Sequence, residues 1–181
     1  MEEDREGVPG EESNLAFIVD SNIIFSVVVA GRRARAYRII VEHRDLELFS
    51  PEEVLIEFRE HTRKLKKSAR VEFWNKALLA FSLIRIVPRE IYKDALREAY
   101  YIAKTFDAKD TPFIALSIKL ELPIWTEDKG LLRASFKPGG YVALDTEAVD
   151  KLVKGESLDS VRERLHEKLF KQQGQYSYDS V

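Results

Sequence analysis

Five short apolar runs, each closed by polar residues and separated from the next by segments of helical spacing, constrain this chain more than any other feature. They are Leu15-Ala16-Phe17-Ile18-Val19, Leu46-Glu47-Leu48-Phe49, Leu83-Ile84-Arg85-Ile86-Val87, Leu122-Pro123-Ile124-Trp125 and Tyr141-Val142-Ala143-Leu144. Runs of this length and composition suit strands covered on both faces. Two helices are expected after the first run. One lies over residues 23–30 and ends at Gly31; the other spans 33–43, with Ala36, Ile39 and Ile40 on one side. Ser50-Pro51-Glu52-Glu53 reads as a capping box with Pro at the first helical position, opening a helix that turns Val54, Leu55, Phe58 and Leu65 inward. A helix near 71–81 precedes the third run, which Pro88 stops, and 91–106 reads as one long helix with Leu96, Ala99 and Ala103 on its apolar side. Pro112 opens a helix over 113–120, and a short helix through Leu131 and Leu132 leads to Gly139-Gly140. Strands alternating with helices imply an α/β fold: a mainly parallel sheet with helices on both faces, a three-layer α/β/α sandwich joined by right-handed crossovers.

The length of 181 residues suits a single domain with its own core. Residues 1–14 are acidic, contain Gly7, Pro9 and Gly10, and read as a flexible leader; 15–146 carry the domain. Residues 147–171 read as a helical extension, with Leu158, Val161, Leu165 and Leu169 at amphipathic spacing for packing on the domain or on a partner, and 172–181 read as a frayed tail. Lys and Arg number 29 against 31 Asp and Glu, so no global charge attracts nucleic acid and any basic surface must be local. The absence of cysteine excludes a disulfide framework, a thiolate zinc site and a cysteine nucleophile. No apolar stretch approaches the roughly 20 residues of a membrane helix, and no signal sequence opens the chain, so the expected location is the cytoplasm, with no membrane partner.

In open α/β sheets, ligands collect beyond the carboxyl ends of the strands. Asp20 and Asp128 follow the first and fourth apolar runs, Asp110 opens the helix leading into the fourth, and Glu57 flanks the apolar face of the helix after the second. Four acids brought together repel one another unless a cation lies between them. Oxygen donors without cysteine point to Mg²⁺ or Mn²⁺ in preference to zinc, and His43, His61 and His166 show no ligand spacing. Each acid also has an ordinary reading. Asp20, Asp110 and Asp128 could cap helices, as could Thr126, and Glu57 could be a solvated residue paired with Arg59 or His61. Arg59, Arg63, Lys64, Lys66, Lys67 and Arg70 form a basic run that would attract phosphate, with Trp74 nearby as a base-stacking ring; the ordinary reading is a solvated helix and a core tryptophan. Arg32, Arg33, Arg35 and Arg38 make a weaker second patch.

The set Ile18-Val19-Asp20-Ser21-Asn22, Glu57 within Ser50-Pro51-Glu52-Glu53-Val54-Leu55-Ile56-Glu57, Asp107-Ala108-Lys109-Asp110-Thr111-Pro112-Phe113-Ile114-Ala115-Leu116 and Ile124-Trp125-Thr126-Glu127-Asp128 resembles the PIN-domain family over residues 15–144. The resemblance implies a five-stranded parallel sheet and a metal-dependent endonuclease acting mainly on single-stranded RNA. It places Asp20, Glu57, Asp110 and Asp128 at the family's acidic quartet, and Asn22 and Thr126 at its polar supporting positions. It further implies that Asp20, Asp110 and Asp128 hold Mg²⁺ or Mn²⁺ directly or through water, that Glu57 holds a second ion or orients water, and that Asp107 is an additional water-holder. Homodimers are implied too, as is an antitoxin or an RNA-processing partner, because the family includes toxins of toxin–antitoxin pairs, ribosomal-RNA processing nucleases and RNA-decay enzymes. Two other readings compete. One is a PIN-fold RNA-binding or assembly scaffold without catalysis, against which the intact acidic set argues. The other is a phosphotransfer protein of receiver or haloacid-dehalogenase type. Asn22 breaks the Asp-x-Asp of the dehalogenases, and no suitable lysine follows the third or fourth run.

Overall fold

In the computed structural model, which describes residues 15–63 and 66–171, the five apolar runs become five strands. These are β1 (Ala16–Val19), β2 (Glu47–Pro51), β3 (Arg85–Val87), β4 (Ile124–Trp125) and β5 (Ala143–Leu144). They form one sheet in the order β3-β2-β1-β4-β5, and every pairing is parallel. β1 lies at the centre, with Ile18 opposite Phe49 on one side and Ile124 on the other. Phe17, Ile18 and Val19 are all buried, as expected of a strand covered on both faces.

The helices are α1 (Ser21–Ala30), α2 (Arg35–Glu42), α3 (Glu53–Thr62), α4 (Lys67–Phe81), α5 (Arg89–Tyr92), α6 (Leu96–Ala103), α7 (Thr111–Leu120), α8 (Lys129–Ala134), α9 (Thr146–Val153) and α10 (Leu158–Phe170). α1 packs against α2, α3 and α4, whereas α7 lies along β1, β2 and β4 and carries α5 and α6, so separate groups of helices cover the sheet. α7 is buried through five consecutive residues, Phe113 to Ser117, as a helix sandwiched between a sheet and other helices must be. Gly31 ends α1 at φ 53, a left-handed conformation that costs a glycine little, with its N–H on the Val27 carbonyl.

Three local expectations are corrected. The capping box at Ser50 does not form: Ser50 and Pro51 belong to β2, and α3 begins at Glu53 without a side-chain cap. The Ser50 hydroxyl donates instead to the Val19 carbonyl at 3.0 Å, tying the ends of β1 and β2 together. Residues 91–106 are not one helix, because a 3₁₀ turn at Lys93–Ala95 separates α5 from α6. The buried Tyr92 beside that turn donates its hydroxyl to Glu53, a tertiary tether that overrides local helical preference. Leu55 and Leu158, expected inside, are exposed, while Val54, Phe58, Val161, Leu165 and Leu169 are buried. Residues 147–171, read as a helical extension, fall in α9 and α10, and Val149, Leu152, Val161, Leu165 and Leu169 join the same core as the sheet. Leu65 and Lys64, the leader and the tail lie outside the described residues. Among the described residues no helix is long and apolar enough to cross a membrane.

Candidate functional site

The strand order makes β1 and β4 the point at which the sheet's connections diverge, and the crevice beyond their carboxyl ends is where such sheets bind ligands. Asp20 directly follows β1. Its N–H donates to the Trp125 carbonyl at 3.0 Å, so the two strands continue their ladder up to this residue. Its carboxylate is buried and does not cap α1. Oδ2 accepts from the Thr126 hydroxyl at 2.6 Å and from Asn22 Nδ2 at 2.5 Å, and the Ser21 hydroxyl reaches Oδ1 at 3.4 Å.

Thr126 is the hub of this arrangement. Besides donating to Asp20, its Oγ1 accepts from Asn22 Nδ2 at 3.1 Å and from the Asp128 N–H at 2.9 Å. That fills the one donor and two acceptor positions of a hydroxyl. Asn22 Oδ1 takes the Glu127 N–H at 3.2 Å, so Asn22 stitches the turn after β1 to the turn after β4. Thr126 thus holds two carboxylate-bearing segments together and is not a helix cap.

Asp128 keeps its ordinary role as well: Oδ1 accepts the Leu131 N–H at 2.9 Å and caps α8. Asp107 likewise accepts the Lys109 N–H at 2.9 Å, while Asp110, before α7, makes no side-chain cap. Glu57 points from α3 toward Ser21, Asp20 and Lys109. Asp20, Glu57, Asp107, Asp110 and Asp128 line one open cleft of about 1000 Å³ together with Ser21 and Asn22. Lys109 is the lysine in that lining.

The electrostatics follow from this crowding. Burial raises the pKa of Asp20, opposed by the Thr126 hydroxyl and the Ser21 N–H and reinforced by Asp128. Burial also raises Glu57; the Ser21 hydroxyl and Lys109 pull the other way, and Asp20 and Asp107 add to the rise. Asp110 is pushed to about 8, first by burial and then by Asp20, Asp128, Asp107 and Glu57. Tyr141 donates its hydroxyl to the Leu131 carbonyl at 2.8 Å, and its pKa is raised by burial and by Asp110 and Asp128. Among the described residues no three acidic or imidazole side chains converge into a ready-made cage. The carboxylates line the cleft as separate, mutually repelling anions. Their all-oxygen donor set fits a hard divalent cation, which would relieve the repulsion that adds to burial in raising Asp110.

The basic run lies elsewhere. Arg59, Arg63, Lys66, Lys67 and Arg70 are exposed along the end of α3 and the start of α4, and none of them lines the acidic cleft. Arg70 donates to the Arg63 carbonyl at 3.1 Å. Trp74 is half-buried against the core, edge-on to Phe73. In the second patch Arg35 is paired with Asp150 at 2.6 Å. Sequence reading missed Ser21 and Lys109, although both stand inside the quoted motifs.

A model of the PIN domain matches residues 18–166. The chain belongs to the PIN-domain family. PIN domains are generally metal-dependent nucleases. Among solved structures, the PIN domain described here is similar to a chain of VapBC2 from Rickettsia felis, crystallised with a DNA fragment from the promoter. The TM-score is 0.60 at 13% identity, covering 72% of this chain and 98% of that one. FitAcB from Neisseria gonorrhoeae matches with a TM-score of 0.54 at 18% identity over 72% of this chain and 98% of its own. PAE2754 from Pyrobaculum aerophilum matches with a TM-score of 0.55 at 14% identity over 78% and 91%. At these identities the likeness is one of fold. No curated protein sequence matches the chain.

Proposed function

We propose that this PIN domain is a metal-dependent endoribonuclease that hydrolyses phosphodiester bonds of single-stranded RNA. One observation carries the reading: a buried aspartate held only by neutral donors shares an open cleft with Glu57, Asp107, Asp110 and Asp128, and Asp110 among them is pushed to about 8. Such a site has a deficit of positive charge that Mg²⁺ or Mn²⁺ would fill.

In this proposal Asp20, Asp110 and Asp128 hold the cation, Asp128 through the oxygen not committed to its helix cap. Glu57 holds a second ion or orients water, with the Ser21 hydroxyl steering its carboxylate. Asn22 and Thr126 keep Asp20 fixed in place, and Asp107 is an additional water-holder. When bound, the cation supplies charge that acidifies water and steadies the oxygens of an in-line displacement. Lys109, inside the cleft, is placed to meet a substrate phosphate. Arg59, Arg63, Lys66, Lys67 and Arg70, with Lys64 outside the described residues, give an approaching strand a salt-sensitive attraction from outside the cleft.

The likeness in fold to VapBC2 motivates a protein partner, an antitoxin or an RNA-processing protein, and the family motivates a homodimer. Val29 on α1 and Leu78 and Leu79 on the adjoining α4 are exposed and offer apolar surface for either. The test of activity is cleavage of single-stranded RNA and DNA by purified protein with Mn²⁺ or Mg²⁺, with and without chelator. RNA cleavage abolished by chelator and restored by either metal is the expected result. Binding of RNA with no cleavage in any divalent metal would leave a scaffold in place of an enzyme.

A further inference from the structure

The acidic residues occupy only part of the cleft. Phe25, Ile56 and Pro112 line it too, with no charge to explain their place there, and the imidazole of His61 stands beside them. Their placement is regular. Phe25 lies four residues after Ser21 on α1, and His61 four residues after Glu57 on α3, so each ring stands about one helical turn from the carboxylate cluster, roughly 5 Å along its helix.

The two rings meet. Phe25 and His61 have centroids 4.6 Å apart, and Phe25 stacks on the buried Phe58 at 3.9 Å with planes 13° apart. Phe58 in turn touches Phe73 and Phe81, which fixes the column from behind. Core packing accounts for Phe58 and much of Phe25. It does not account for His61 and Ile56, which line the cleft and remain exposed, Ile56 at 50%.

Resting on the nuclease reading, we propose that His61, backed by Phe25 and flanked by Ile56, is a stacking shelf for one unpaired nucleobase adjacent to the scissile phosphodiester. A phosphate gains nothing from the faces of these rings, only an edge-on hydrogen bond from the His61 imidazole, which a strand without bases would keep. A base gains a π-face contact independent of its identity, and only a base free of a duplex can take it. The shelf therefore supplies a physical reason for choosing single strands, which the carboxylates alone do not.

The test compares binding of a hexameric oligoadenylate with that of the same ribose-phosphate backbone lacking bases, by fluorescence anisotropy in Ca²⁺. Wild type, His61→Ala and His61→Phe are used; His61 is exposed, so both variants should fold. The expected result is that His61→Ala weakens the adenylate about 5- to 20-fold. The same variant should leave the abasic strand within about twofold, and His61→Phe should retain wild-type affinity. Equal weakening on both strands, or no weakening on the adenylate, overturns the shelf. Wild-type cleavage of RNA measured alongside separates the two readings: cleavage without base discrimination removes the shelf alone, whereas a protein that neither binds nor cuts RNA removes the nuclease reading and the shelf with it.

Discussion

Two aspartates end strands of the same sheet and have opposite surroundings. Asp20 after β1 and Asp145 after β5 are both about 95% buried. Asp145 has complete compensation: Oδ1 accepts the Ala148 N–H at 2.8 Å, capping α9, and Oδ2 accepts Lys168 Nζ at 2.8 Å. Lys168 also holds Glu147 at 2.9 Å, and its hydrogen bond to Asp145 raises its pKa. Asp20 has hydroxyl and amide donors only, and further acids beside it. A buried carboxylate with a cap and a lysine is a structural joint. One with neutral donors and anionic neighbours stores unfavourable charge that a ligand can release.

Exchanging one residue at a time should expose that contrast. Asp20→Asn should lower RNA cleavage on the order of a thousandfold, with the circular-dichroism spectrum unchanged, because an amide can still accept from Thr126. Wild-type turnover in this variant would end the assignment of Asp20. Thr126→Val should lower activity roughly 10- to 100-fold by freeing the turns that carry Asp20 and Asp128, and a steady-state assay showing no loss would mean that the hub is purely structural.

Asp145→Ala should act in the other direction. It should lower stability by roughly 1–3 kcal/mol through loss of the α9 cap and the lysine contact, read as a drop in Tm. Activity per folded molecule should stay the same at low temperature. If Asp145→Ala instead abolished cleavage at full stability, the division between joint and site would fail.

The smallest effect expected is on pH dependence. Asp110 has a folded-state pKa of about 8 against an ordinary 3.8, so the folded protein binds this proton more tightly than the unfolded chain does. The associated stability is fully present below about pH 4 and is lost as pH rises through about 8. Raised values at Glu57 and Asp20 have the same sign. Metal-free protein should therefore lose Tm between pH 5 and 9, and Mg²⁺ should restore part of it at the upper end. Asp110→Asn should raise the metal-free Tm at pH 9 by roughly 2–4 °C and hardly alter it at pH 5. A variant less stable than wild type at pH 9 would contradict the crowding.

How much of this could be read from residues alone depended on whether each residue's partner was local. Asp20 and Asp128 stand out because an acid directly after an apolar run is a local pattern. The same logic misread Ser50, whose hydroxyl is claimed by a carbonyl on the neighbouring strand, and the stretch through Tyr92, which is broken beside the tether to Glu53. Strand order is absent from any local pattern, yet it decides that Asp20 and Asp128 become neighbours. Ser21 passed as a spacer between Asp20 and Asn22, and Lys109 as one between Asp107 and Asp110. Their roles come from facing Glu57 across the cleft.

The helix cap at Asp128 limits how that residue can serve a second partner. One of its oxygens already belongs to the Leu131 amide. A Cβ at Gly130 would stand 2.9 Å from that same oxygen and 3.0 Å from Phe106, so the capping geometry has no slack on that side. A partner that engages the outer oxygen alone leaves this hydrogen bond untouched, whereas one that takes both oxygens must share the capping oxygen with the Leu131 amide through its second lone pair. The Leu131 amide proton is therefore a native gauge of denticity, its exchange protection unchanged in the first case and reduced in the second.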